Sequence, residues 1–135
     1  MKFTGGCYCG KVRYEAEGEP LIRGMCHCRQ CQYISGGGAN VLIAMPISSF
    51  CYTSGEPKSF AREDLETPVK RQFCSDCGTA LVSLPPSMPD VAIIKVGTMD
   101  DPAEFGTPDM AFYCEDQQTF HYLPEGLPKF EKLPG

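Results

Sequence analysis

The chain lacks any apolar run long enough to cross a bilayer; its longest, Val41 to Pro46, falls far short of the roughly 20 residues a spanning helix needs. A basic cluster is missing too, beyond the pair Lys70-Arg71, and the formal charge is −5. That balance argues against a nucleic-acid or anionic-membrane surface, both of which want a basic patch. No secretory signal is read in the polar, glycine-rich stretch Met1 to Cys9, so the expected location is the cytoplasm. Repeats, low-complexity tracts and linker-like shifts of composition are also absent, and 135 residues suit one domain spanning 1–135. With 42% hydrophobic and 21% charged residues the composition is ordinary for a globular fold. The partners expected are small molecules or proteins.

What the chain does have is cysteine, nine of them. In a reducing compartment such a count points to metal binding or catalysis rather than disulfides, and the odd number already prevents complete internal pairing. Glycine and proline punctuate the sequence throughout, which favours short strands and turns. Lys11 to Glu17 alternates Val12, Tyr14 and Ala16 with charged residues, the period of a half-buried strand. Further strands are expected at 40–44, 50–53, 58–62, 69–73, 79–84, 91–96 and 110–114, with short helical turns around 27–34 and 46–50. A mainly β, mostly antiparallel domain follows.

Two cysteine constellations stand out. Cys7-Tyr8-Cys9-Gly10 and Cys74-Ser75-Asp76-Cys77-Gly78 are two ligand pairs that the fold can bring together. Zinc accepts a tetrahedron of four thiolates, and each pair holds two corners without strain. A glycine follows each pair, letting the backbone turn back so that peptide N–H groups point at sulfur. Four cysteines close the shell and leave no position for a substrate, so this site reads as structural. The second constellation, Cys26-His27-Cys28-Arg29-Gln30-Cys31, puts three thiolates in six residues and is open to three readings. It is a zinc site with a vacant fourth position, a structural site completed by His27 or His121, or a metal-free set of reactive thiols. Cys51 and Cys114, alone in apolar strand candidates, read as small core residues. Gly36-Gly37-Gly38 lacks the lysine of a phosphate loop and reads as a flexible turn beside the second cluster.

Three stretches together carry a resemblance: Gly5-Gly6-Cys7-Tyr8-Cys9-Gly10-Lys11-Val12-Arg13-Tyr14, Cys26-His27-Cys28-Arg29-Gln30-Cys31, and Phe73-Cys74-Ser75-Asp76-Cys77-Gly78-Thr79. In order and spacing they resemble the glutathione-dependent formaldehyde-activating enzyme family. The likeness continues through Val96-Gly97-Thr98-Met99-Asp100-Asp101-Pro102 to Glu125-Gly126-Leu127-Pro128-Lys129-Phe130 and so covers nearly the whole chain. It implies a β-tent fold, two antiparallel sheets with a structural zinc at their junction. In that likeness Cys7, Cys9, Cys74 and Cys77 match the structural ligands, while Cys26, Cys28 and Cys31 match the ligands of a second, catalytic zinc. It also implies carbon–sulfur lyase chemistry, joining formaldehyde to the glutathione thiol to give S-hydroxymethylglutathione. The fold alone does not fix the substrate.

Two positions depart from the family pattern. A His-aromatic stretch near 111 to 113 reads Ala111-Phe112-Tyr113 here, and the family tryptophan falls at Phe120 in a chain with no tryptophan at all. The metal ligands are unaffected, and the identity of the thiol or aldehyde stays open. By charge and sequence position Arg23, Arg29, Lys70 and Arg71 are candidate anchors for substrate carboxylates, and Tyr33 and Asp76 lie near proposed ligands. Two other functions compete with the enzyme: a zinc-stabilised binding module, as in related β-tent scaffolds such as centromere protein V, and a thiol redox sensor built on the three close cysteines.

Overall fold

The computed structural model describes residues 1–134. Ten strands form two sheets. A three-stranded antiparallel sheet is ordered β1 (Lys2–Gly6), β2 (Arg13–Glu17), β5 (Phe50–Ser54). The seven-stranded sheet runs β10 (Met110–Phe112), β3 (Ile22–Cys26), β4 (Asn40–Pro46), β9 (Val91–Lys95), β8 (Ala80–Leu84), β7 (Lys70–Phe73), β6 (Lys58–Phe60). Every pairing is antiparallel except β10 with β3, which is parallel. The mainly β, two-sheet architecture expected from the sequence is therefore present, with one parallel edge. That edge arises because β10 returns from a long connection, a geometry no hairpin allows.

The alternation along β2 buries Tyr14 and Ala16 against Phe3 of β1, and the same core takes Ile43 and Met45 from β4 and Ala92 and Ile94 from β9. Because side chains alternate across a strand, the residues between these point to the other face of the large sheet. There Leu42 and Ile93 pack with Cys26, Cys31 and Phe112 in a separate, smaller cluster. One face of the large sheet thus closes on the small sheet, and its other face carries the second cysteine group.

Two strands, β1 and β3, were not expected, and each contains a glycine that read as turn punctuation. A Cβ on Gly5 would stand 2.3 Å from the Thr98 carbonyl oxygen, and one on Gly24 would stand 2.6 Å from the Phe112 ring. These glycines mark places where another chain segment lies against the strand. The helical segment shrinks to α1 (Arg29–Ile34), and 46–50 holds only a 3-10 turn over Ile47–Ser49. Two cysteines differ from expectation. Cys51 is exposed on the small sheet's edge strand near Glu15, and Cys114 is half-buried in a 3-10 turn just after β10. No helix of the described residues is long and apolar enough to cross a membrane.

Candidate metal centres

The first centre sits where the sheets meet. Cys7 follows the last residue of β1 in the small sheet, and Cys74 follows the last residue of β7 in the large one. Gly10, with φ 84°, and Gly78, with φ 78°, let each loop curl so that the glycine N–H donates to the carbonyl of Cys7 (3.1 Å) or Cys74 (2.8 Å). The four sulfurs Cys7, Cys9, Cys74 and Cys77 all lie within 4.8 Å of one another. Cys7 Sγ is 3.6 Å from Cys9 Sγ, and Cys9 Sγ is 3.8 Å from Cys74 Sγ. Those separations are far beyond a disulfide bond and match the edge, about 3.8 Å, of a tetrahedron with zinc–sulfur bonds near 2.3 Å. The donor set therefore fits a four-thiolate metal ion.

The surroundings hold the two loops together. Tyr8 N–H donates to Thr79 Oγ1 at 3.1 Å, which leaves the Thr79 hydroxyl proton free to donate to Cys77 Sγ at 3.2 Å. That hydroxyl, with backbone N–H groups, holds the Cys77 thiol down at about 6. The Val12 N–H points at Cys7 Sγ (3.3 Å), and the Lys11–Asp76 ion pair (2.7 Å) ties one loop to the other at the surface. Asp76 is thereby engaged away from the second centre.

Cys26, at the end of β3, and Cys28 and Cys31, at the start and first turn of α1, form the second group, again with all sulfurs within 4.8 Å. The Cys28 side chain caps the helix, accepting from the Cys31 N–H at 3.3 Å. Gln32, buried, donates through one amide to the carbonyls of His27 and Asp116, both at 2.9 Å, and so locks the strand-to-helix turn. Protons on the three sulfurs crowd unequally. Contacts from Cys26 and then Cys31 hold Cys28 down at about 2, and the same closeness drives Cys26 strongly up. Cys31 is drawn down by Cys26 but ends at about 11, because Cys28 and burial outweigh that pull. Three thiolates so close together repel one another, and all three become ligands when a cation offsets the charge.

Among the described residues, no histidine nitrogen joins this sulfur group. His121 accepts from the Gln118 N–H through Nδ1 (2.9 Å), so its Nε2 carries the proton and donates to the Gly37 carbonyl (2.6 Å), pinning the glycine turn. His27 is buried against the His121 ring with its Nδ1 unpartnered. A site completed by either histidine does not match this arrangement.

The trio borders a cavity of about 640 Å³ whose apolar wall includes Ile22, Leu42, Ile93 and Phe112. Arg29 and Arg71 line it, whereas Arg23 lies near Glu19 (3.7 Å) and Lys70 stands outside the lining. Arg29 is half committed already, to Gln32 Oε1 and to the ring of Tyr33, which is itself 78% exposed. Sequence reasoning missed Asn40, Ser83 and Tyr113, which line the same cavity. Tyr113 is the one non-glycine residue with positive φ (49°) among those described, a strained position of the kind found beside functional sites. Lys95 was missed as well. It lies buried near the trio, and burial pushes its ammonium down from 10.5 to about 8. A lone lysine at the end of an apolar strand gave no sign of facing cysteines 64 or more residues earlier in the chain.

The family model described as "Glutathione-dependent formaldehyde-activating enzyme" matches residues 2–116, a span that takes in both sulfur groups. The chain belongs to this family. One relative is a Halomonas elongata protein provisionally named a glutathione-dependent formaldehyde-activating enzyme; it is 27% identical over 96 residues, 67% of this chain and 61% of the relative. The match therefore spans less than two thirds of that relative's length. In three dimensions the chain is similar to a Rhodobacter sphaeroides protein of known crystal structure, with TM-score 0.59, 22% identity, and coverage of 80% of this chain and 97% of the other. That likeness shows a shared fold.

Proposed function

We propose that this family member is a zinc-dependent enzyme of carbon–sulfur lyase type that adds a thiol, glutathione or a close relative, to formaldehyde or another small aldehyde. Cys7, Cys9, Cys74 and Cys77 hold a structural zinc, and Cys26, Cys28 and Cys31 hold the catalytic one. The observation that carries this reading is the contrast in surroundings. Four sulfurs close on themselves at the sheet junction, while three sulfurs with no fourth protein ligand among the described residues border a cavity large enough for a small substrate. The family match and the named relative support the choice of thiol and aldehyde.

Zinc at a three-thiolate site supplies a Lewis acid that lowers the pKa of what joins it. The chain's own residues do the rest. The Cys31 N–H donated to Cys28 Sγ fixes one sulfur, and Gln32 fixes the turn that presents all three. Ile22, Leu42, Ile93 and Phe112 give the reacting pair an apolar wall. Arg29 and Arg71 offer positive charge to substrate carboxylates. In the reaction the substrate sulfur forms a bond to the carbonyl carbon, the carbonyl π pair moves to oxygen, and the proton lost by the thiol ends on that oxygen. Electrons balance without an oxidant or reductant. The proposed setting is the cytoplasm, where thiols stay reduced.

The test is the rate of exchange between glutathione, formaldehyde and S-hydroxymethylglutathione, followed by magnetisation-transfer NMR with the zinc-loaded protein. Expected is an acceleration over the spontaneous reaction that a chelator removes and zinc restores. An exchange rate equal to the spontaneous one, with both sites loaded, would reject the enzyme reading and leave a zinc-stabilised binding module.

A further inference from the structure

The face of the large sheet that carries the trio also holds two cations that pair with no carboxylate among the described residues. Lys95 on β9 is 9% exposed, and its Nζ donates to Ser83 Oγ at 3.2 Å. Arg71 on β7 reaches the same hydroxyl through Nη1 at 3.4 Å and donates Nη2 to Gln30 Oε1 at 2.5 Å. None of the ion pairs among the described residues includes either cation. Taking an ammonium out of water is costly unless an opposite charge or a full set of hydrogen bonds replaces the solvent. One serine oxygen accepts from both donors and neutralises neither. Apart from the sulfurs of the trio, the cluster has no anionic partner among the described residues, and it has room for a carboxylate.

Its place in the sheet says which anion. Arg71 pairs with Ser83, Ser83 pairs with Ile93, and Lys95 lies two residues beyond Ile93, so all of them share one face. Leu42, the cross-strand partner of Lys95, packs against Cys26 and Cys31. Arg71 and Ser83 line the cavity that the trio borders, and with Lys95 they also line an adjoining cavity of about 390 Å³. A ligand whose sulfur lies at the trio can therefore place a charged end between Arg71 and Lys95.

We propose that Arg71, Ser83 and Lys95 form a carboxylate subsite that holds one carboxylate of the thiol substrate. The guanidinium offers paired N–H donors to a planar carboxylate, and the ammonium adds a point charge. Ser83, already accepting from both cations, has its own hydroxyl proton left to donate. The subsite rests on the reading of the trio as a thiol-binding centre. It explains why an apolar strand ends in a buried lysine, and it selects Arg71 from the four basic residues that charge alone nominated.

The test separates carboxylate recognition from chemistry by using S-methylglutathione, whose sulfur cannot become a thiolate, and its dimethyl ester. Binding of each to the zinc-loaded protein is measured by calorimetry for the wild type, Lys95→Met and Arg71→Gln, with zinc content and circular dichroism as checks on folding. The wild type should bind the free acid about tenfold or more tighter than the ester, and either variant should narrow that gap to under about threefold, the loss of a charge-assisted hydrogen bond. A gap that persists in both folded variants, or no gap in the wild type, overturns the proposal. Should one variant fail to fold, the other decides. A wild-type gap that closes in the variants, in a protein that does not accelerate the thiol–aldehyde exchange, keeps the subsite and rejects only the reaction.

Discussion

The two sulfur groups have the same donor chemistry and opposite surroundings. Cys7, Cys9, Cys74 and Cys77 join two sheets through loops that are themselves bonded together by Thr79 and by Lys11 with Asp76. Cys26, Cys28 and Cys31 come from one strand end and one helical turn and draw nothing together from far along the chain. A metal at the first group links segments distant in sequence, so its binding energy becomes folding energy. At the second, the local backbone is already set by Gln32 and by the parallel pairing of β3 with β10, so on the function proposed above metal binding there is left to serve chemistry. On the function proposed above, completeness of the shell and the distance in sequence that it spans, rather than the ligand type, separate the structural from the working site.

The largest difference should come from removing one ligand of each group. Cys74→Ser should prevent stable folding or lower Tm by roughly 15 °C or more, since structural zinc is worth on the order of 10 kcal/mol in small metal-dependent domains. Thermal unfolding followed by circular dichroism checks this. Cys31→Ser should leave Tm within about 5 °C of the wild type while the thiol–aldehyde exchange falls by about 100-fold or more, the size of effect expected when a metal-held transition-state interaction is lost. Equal losses of stability in the two variants would erase the contrast.

Lys95 sharpens the comparison from the other side, because a residue that serves a site often costs stability. Its pKa is pushed from 10.5 to about 8 by burial, so between those values the unfolded chain holds more protons than the folded one. Stability of the protein carrying zinc in the first group alone should therefore rise as pH increases from about 8 towards 10.5. Lys95→Met should flatten that slope and stabilise this form at pH 7 by up to roughly 3 kcal/mol, even as it weakens substrate binding. Urea denaturation at several pH values measures it. A destabilised Lys95→Met protein with an unchanged slope would show that the lysine is held by partners that favour its charge.

The smallest effect belongs to the hydrogen bonds around the closed site. Thr79→Val keeps the shape and removes the hydroxyl that faces Cys77 and Tyr8, so zinc affinity at that site should fall by about tenfold, with about 1 kcal/mol of stability. Competition with a chromophoric chelator reads the affinity. The exchange activity should be unaffected, since Thr79 touches only the structural group.

The two sulfur groups were legible because cysteine spacing is local and each first-group pair is followed by a glycine that adopts positive φ. Most strands were legible too, wherever apolar and polar residues alternate, as along β2 and β9. The two missed strands show the limit. Gly5 and Gly24 resemble turn residues until the segments against them are seen, and those lie more than 80 residues away in sequence. The same holds for the cavity. Lys95, Ser83 and Tyr113 carry no local motif, and their relation to the trio is set by strand register and by one backbone twist after β10. Cys51 failed because an apolar neighbourhood in sequence does not say which edge of a sheet a strand occupies, and Cys114 because β10 ends at Phe112 and leaves it in the turn that follows.

The most direct test of the contrast between a closed and an open centre is native mass spectrometry of the protein purified under reducing conditions, with and without added glutathione. The expected result is about two zinc ions per chain, one of which is lost or gains a glutathione adduct on addition, while the other stays. About one zinc per chain, with no second uptake from added zinc and no glutathione adduct, would contradict it.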